Sequence, residues 1–279
     1  MPDTHIQPTQ EAARRRRAGA NLIVMIAAGL LVAAVAAGLA VSHRTTTPPA
    51  PPNPKQPPTP AEPRATDDGG WDVAAEEALA RRPMLRLPVQ DAAPQPLAES
   101  AGDFITIPRP TDTSGQWIPK VRVPTPEGAL AQLAALSEVA LAGVDPAVVD
   151  RAYRDLALPG APDPGMSVAH STAADLRLAA RMASSGPVPG LTATYEVTHG
   201  LVKGITDQGR FTVVCVLGEL VIDYRGTTAK AGLGECQAMR LTDEGWRISP
   251  TAPAAAATSA WPGSASAVRA GYRELRDAP

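Results

Sequence analysis

Leu191-Thr192-Ala193-Thr194-Tyr195-Glu196-Val197-Thr198 alternates apolar and polar residues without a break. Leu191, Ala193, Tyr195 and Val197 take one side, and Thr192, Thr194, Glu196 and Thr198 take the other. A period of two belongs to a β-strand with one buried and one solvated face. Downstream, Asp207-Gln208-Gly209 reads as a turn and Phe211–Leu217 as a strongly apolar strand. Gly218 marks an expected bulge, beyond which the strand continues through Glu219–Arg225. Glu235–Leu241 and Gly245–Ser249 form a last hairpin around Thr242-Asp243-Glu244. Lys203-Gly204 and Ala231-Gly232-Leu233-Gly234-Glu235 read as turns, and Ser266–Leu275 as a closing helix with Val268, Tyr272 and Leu275 inward.

Upstream of Leu191 the period becomes helical. Thr125-Pro126-Glu127 offers a cap, a proline suited to the first helical position and an acid for the first turn. Leu130, Leu133, Ala134, Ser137 and Leu141 then follow at helical spacing up to Gly143. Asp145-Pro146 repeats the start signal for a second helix, which Pro159-Gly160 stops. Ser171-Thr172 and Asp175 open a third, ending at Gly186. Helices first and an antiparallel meander after them make an α+β domain, expected over residues 121–276.

The N-terminal part is of another kind. Ala20–Val41 holds no charged residue, and a helix of about 20 apolar residues crosses a bilayer. Arg14, Arg15, Arg16 and Arg17 precede it and act as a topology signal, holding the N-terminus in the cytoplasm. Residues 1–19 are thus expected as a cytoplasmic tail and 20–42 as a single transmembrane helix in the cell membrane, with the remainder extracytoplasmic. The alternative is a cleaved secretory signal with Gly38-Leu39-Ala40 as its cleavage site. The run is longer than a signal's apolar region and ends in polar His43-Arg44, which favours retention. Residues 43–120 are expected as a proline-rich linker, mostly disordered. Nine of the 16 residues from Pro48 to Pro63 are proline, giving a semi-rigid stalk of roughly 50 Å at about 3.1 Å per residue. Within 64–120, Trp71–Ala80 fits a short helix and Phe104–Ile107 a short strand.

The chain's net charge is −2, and setting aside the four arginines of the tail leaves the outer part more acidic. Such a domain has no footprint for direct nucleic-acid contact and is not drawn to anionic lipid heads. Its partners are expected to be the lipid bilayer, through the anchor, and proteins. Cys215 and Cys236 are the only cysteines. An oxidising compartment and an even count favour a disulfide between them over two buried thiols.

No residue set announces chemistry. His-Glu-x-x-His, Gly-x-Ser-x-Gly, Ser-x-x-Lys and phosphate-loop patterns are all missing. His199 with Glu196 or Asp223 makes a thin acid–base candidate, and His170 has no supporting pattern. Strand alternation alone accounts for Glu219, Asp223 and Tyr224 on one strand. Trp246 and Trp261 read as core or edge anchors. We assign no catalytic, cofactor or metal residues.

With Val123-Pro124-Thr125-Pro126-Glu127-Gly128-Ala129 opening the first helix and Gly245-Trp246-Arg247-Ile248 as closing strand, the layout resembles actinobacterial single-pass membrane proteins of conjugation and type IV secretion systems. The richness in alanine, arginine and proline suits such a genome. The resemblance covers roughly residues 120–262. It implies a nuclear transport factor 2-like cone, with helices followed by a curved antiparallel sheet. It also implies a non-enzymatic scaffold or bridging subunit of an envelope-spanning apparatus, with self-association or other envelope proteins as partners. Accessory proteins of lipid-import systems, and exported enzymes or ligand-binding proteins that use the cone pocket, share the layout and remain alternatives. The pocket would be lined by Tyr195, Phe211 and Val213.

Overall fold

A computed structural model describes residues 72–100, 102–111 and 117–279. The expected tail, transmembrane helix and proline stalk, with Arg14–Arg17, lie outside the described residues.

The helices start where their caps are written. In α2 (Pro126–Leu141), Thr125 accepts the Gly128 N–H. In α3 (Pro146–Leu156), Asp145 accepts the Ala147 N–H. The third, α4 (Val168–Ala179), starts before the expected Ser171, because Ser167 accepts the His170 N–H and becomes the cap. The segment Pro126–Val144 is long and apolar enough to cross a membrane, but it is largely buried inside the protein. It is the central helix of the domain, apolar all round because it is enclosed.

The sheet is a curved, six-stranded half-barrel. Its long meander is β2 (Leu191–Thr206), β3 (Phe211–Tyr224) and β4 (Thr227–Thr242), with β5 (Gly245–Ile248) paired to β4. On the other side β6 (Arg273–Asp277) lies antiparallel to β2 and parallel to β1 (Ile105–Ile107), giving the order β1-β6-β2-β3-β4-β5. The bulge expected at Gly218 falls on the facing strand instead: the register of β2 shifts between Val197 and His199, opposite Gly218 and Leu217. A Cβ at Gly218 would meet the Glu196 carbonyl at 2.3 Å, so glycine is there for close approach.

Gly232 and Gly234 do not form turns; both lie inside β4. A Cβ on Gly232 would sit 1.8 Å from the Ala260 carbonyl oxygen, and one on Gly234 would sit 2.4 Å from that of Thr258. These glycines let the segment after β5 lie directly on the sheet. The expected closing helix is correspondingly short, α5 (Ala265–Arg269). Gly271, at φ 93°, turns the chain into β6.

Helices α2, α3 and α4 cover one face of the sheet. Leu130, Leu133, Val214, Val216, Leu220, Leu233, Met239 and Trp246 meet there. The opposite face is just as buried, with Phe211, Val213, Cys215 and Leu217 all at zero exposure. The unbroken apolar run of β3 is the signature of a strand covered on both sides. The second cover is the segment assigned to the linker. In α1 (Val73–Arg81), Ala80 packs with Phe211, Val213 and Ala238. The Ala80 carbonyl accepts from Ala255 N–H (2.8 Å) and Lys203 Nζ (3.2 Å). Met84 and Leu87 pack beside Leu217 and Tyr272. For the described portion of the expected linker this is a correction: the residues from 72 onward include a helix and strand packed on the sheet, ahead of the expected boundary at 121. The short helix and short strand read within that segment are α1 and β1.

Cys215 and Cys236 are direct partners across β3 and β4, Cα atoms 4.0 Å apart, with their sulfurs at bonding distance. This disulfide-capable pair lies under the second cover, closes a 21-residue separation and is expected to contribute about 3 kcal/mol. Denaturant unfolding with and without prior reduction checks this. An unchanged midpoint after complete reduction would show that packing alone holds the strands.

Candidate functional site

The helix-covered face carries one ionisable group that the core does not explain. Glu235 projects from β4 toward the start of α4 and is 2% exposed. Its Oε2 accepts the Ala169 N–H at 2.9 Å, and its Oε1 accepts from Gln237 Nε2 at 2.9 Å. Burial disfavours the charge, whereas the helix N-terminus and these bonds favour it. Burial wins, and the carboxyl is pushed up to about 7. Tyr153 of α3 brings its hydroxyl among Glu235, Gln237 and Ser167, and burial drives the phenol well above its ordinary value. Outside Tyr153 lies an open cleft of about 460 Å³, walled by Tyr153, Arg154, Leu158, Pro159, Pro162 and Ile248. An acid and a phenol beside a cleft are the parts of a proton-transfer site. Here the cleft reaches Tyr153, while Glu235 stays behind it.

Glu235 gives the domain a pH dependence of known sign. Below its ordinary value of 4.5 the carboxyl is protonated folded or unfolded. Above about 7 it is ionised in both states, and the folded state alone bears the desolvation. Its contribution to stability is therefore full in acid and is lost as pH rises through that window, by about 3 kcal/mol. Glu235→Gln is expected to remove this slope and gain stability relative to the parent at pH 8. Parallel unfolding curves from pH 5 to 8 would contradict the assignment.

The opposite face holds a buried ion cluster. Arg240 pairs with Glu76 of α1 and, at 2.8 Å, with Asp207. Burial pushes Asp207 up, but bonds from Arg240 and Arg210 outweigh it and hold the carboxyl below its ordinary range. Lys203 is lowered to about 8 by burial and by Arg82. The cluster ties the N-terminal arm to the sheet.

The sheet edges differ. At β5, the Ile248 carbonyl accepts the Leu158 N–H and Ala157 bridges alongside, so that edge is capped. At β1, no described residue pairs with the outer side. A groove of about 570 Å³ runs there, lined by Phe104, Ile105, Thr106, Pro108, Thr125 and Glu127. Phe104 is 49% exposed, and the Arg276 guanidinium lies 4.1 Å from its ring.

The residues singled out by sequence fare unevenly. Cys215 and Cys236 come together. Asp223 instead holds the β3–β4 turn, accepting from Gly226 N–H and Thr228 Oγ1. His199 is paired to Leu217 and Asp223 to Thr192, seven residues apart along β2 or about 23 Å, so they form no acid–base pair. Glu219 pairs with Lys230. His170 Nδ1 lies 2.6 Å from Asp150 in a partly buried pair. Trp246 is an anchor in the core, its Nε1 donating to the Val123 carbonyl. The pocket drawn from Tyr195, Phe211 and Val213 is not one surface: Tyr195 packs under the helices and the other two pack under the arm. Sequence reasoning missed Glu235, whose one signal was a lone acid among the small and apolar residues 231–239. Among the described residues, no three His, Cys, Asp or Glu side chains converge as metal ligands. Comparison of the chain with family models, with characterised proteins and with solved structures finds no match.

Proposed function

We propose that the chain is a membrane-anchored, non-enzymatic scaffold or bridging subunit of an envelope-spanning conjugation or secretion apparatus. Its outer domain is a nuclear transport factor 2-like cone extended by the N-terminal arm. One observation carries the reading: both sheet faces and one edge are covered from within, while among the described residues none covers the β1 edge, which lies beside an apolar groove. An open edge is a template for another chain. The apolar run behind Arg14–Arg17 supplies the anchor, and the proline stalk holds that edge away from the bilayer. In-cell crosslinking of the tagged full-length protein, followed by mass spectrometry, tests it. Reproducible recovery of other envelope-apparatus subunits is the expected result. Monomer alone, where a control complex crosslinks, overturns the reading.

Glu235 and Tyr153 behind the 460 Å³ cleft favour a second reading, an exported ligand-binding or enzymatic domain. It gains ground if crosslinking fails and a measured binding or turnover is lost in Tyr153→Phe.

A further inference from the structure

The open edge has a sequence that complements itself. Its residues run Asp103-Phe104-Ile105-Thr106-Ile107-Pro108-Arg109. Laid antiparallel against a second copy about Thr106, the segment pairs Asp103 with Arg109, Phe104 with Pro108, Ile105 with Ile107 and Thr106 with itself. Opposite charges meet at both ends, and an aromatic ring faces a proline between them. We propose that two copies of this chain join through β1, forming one continuous sheet across a two-fold axis at Thr106.

The backbone is set for it. The Ile107 carbonyl accepts the Ala278 N–H at 2.8 Å, so Ile107 turns its polar groups inward, toward β6. By the strand's period of two, Thr106 and its alternate neighbours Phe104 and Pro108 turn theirs outward. Thr106 is then a hydrogen-bonded pair with its own copy, each N–H donating to the other carbonyl. Each Phe104 N–H donates to the carbonyl of the other Pro108. Pro108 has no N–H to give, which ends the ladder and limits the register to this one centre. Ile105 and Ile107 already lean on the helix-covered core. Beside them the groove leads along Thr125 and Glu127 at the start of α2 and offers room for the incoming strand's apolar side chains. The closed symmetry makes the contact isologous, so pairing stops at two copies.

A three-residue strand pair falls short of the roughly 1,000 Å² that a complex free in solution needs. Copies held on the same bilayer meet at a far higher effective concentration. The inference thus rests on the anchored-scaffold reading.

The test uses the full chain in its membrane. Thr106 is exposed, and the two Thr106 Cα atoms of such a pair lie about 5.5 Å apart, within disulfide reach. On oxidation Thr106→Cys is expected to yield a covalent homodimer. Leu178→Cys, 77% exposed on α4, is expected to stay monomeric. Asp103→Arg or Arg109→Asp in the Thr106→Cys background is expected to cut the dimer about tenfold, and both together to restore it to within twofold. All three edge positions are exposed, and the ion pair of Arg109 with Asp277, at 3.6 Å, lies in solvent, so the fold is not at stake. Failure of Thr106→Cys to dimerise overturns the inference, and so does a double variant as poor as the single ones. If Thr106→Cys traps a different envelope subunit, self-pairing falls and the scaffold reading stands. If it traps nothing and crosslinking finds no subunit, both fall.

Discussion

Arg177→Ala is expected to cost about 4 kcal/mol or more. Arg177 is 2% exposed, yet it is neither a surface charge nor half of a simple ion pair. Its Nε donates to the Val144 carbonyl at 2.7 Å. Its Nη1 donates to Ala183 and Gly186, and its Nη2 to Gly143. These carbonyls belong to the left-handed exit of α2 (Gly143 at φ 73° and Val144 at φ 43°) and to the loop that leads from α4 to β2. Neither segment has a regular ladder to satisfy its acceptors. The guanidinium supplies donors to both and stitches the end of one helix to the approach of the first long strand. Asp145 sits 3.7 Å away, with Oδ2 on the Gly186 N–H and Oδ1 on the Ala147 N–H, so its charge is shared with the same joint. Truncation strands the carbonyls, leaves Asp145 without its nearby cation and opens a cavity. The total is comparable with the whole stability of many domains. Thermal unfolding of the full chain, followed by tryptophan emission with Trp246 buried as the main reporter, should fall by about 10 °C or more. Arg177→Lys keeps the charge with fewer, unforked donors and is expected to fall in between. A loss under 1 kcal/mol for Arg177→Ala would mean that water replaces the guanidinium at those carbonyls.

Local signals of this kind explain which parts of the fold were readable. Thr125, Asp145 and the alternation at Leu191–Val197 act within a few residues, and there sequence and structure agree. The cross-strand cysteines were legible because the chain holds only two, on neighbouring strands that a hairpin brings together. The failures are long-range. Gly232 and Gly234 look like turn residues until Ala260 and Thr258 are seen against them. Gly271 converts the second half of an apparent helix into a strand, since β6 has β1 and β2 to pair with. Tyr195 looked inward-facing from the alternation of its strand and Phe211 from the apolar run it opens. Only the pairing register, Tyr195 with Leu220 and Thr206 with Phe211, separates their faces. The arm misled most. Proline-rich composition argued for a linker, yet the run Phe211–Leu217 already demanded cover on two faces, and the helices before Leu191 supply only one. Glu235 followed the same rule. An acid in a buried strand has meaning only beside the α4 amide and the Tyr153 hydroxyl that the fold brings to it.

That second cover should come away when Glu76 is replaced. Glu76 is the buried acid of α1, 1% exposed, and burial lifts its carboxyl above the ordinary value despite the bond from Arg240. Glu76→Ala removes the arm's partner from a guanidinium that is itself 2% exposed. Breaking one side of a buried pair costs about 3–5 kcal/mol, because the remaining charge keeps its desolvation penalty. Asp207 still holds the other side of Arg240, so we expect the lower end, about 3 kcal/mol. The loss should be local before it is global. The other ties of α1, the bonds from Ala255 and Lys203 to the Ala80 carbonyl and the packing of Ala80 on Phe211, lie on the same short helix and would open with it. Trypsin reads this directly. Cleavage after Arg81 is expected to be slow in the parent and at least tenfold faster in Glu76→Ala, with the rest of the sheet still protected; the bond after Arg82 precedes Pro83 and resists trypsin in both. Glu76→Leu with Arg240→Met is expected to recover protection, since apolar groups of similar volume replace a buried pair at little or no net loss and Arg210 remains 3.2 Å from Asp207. If Glu76→Ala leaves cleavage unchanged, the apolar contacts of the arm hold it without the ion pair. If the double variant is as labile as the single, the pair specifies the docking geometry, and the arm is positioned by charge as well as covered by packing.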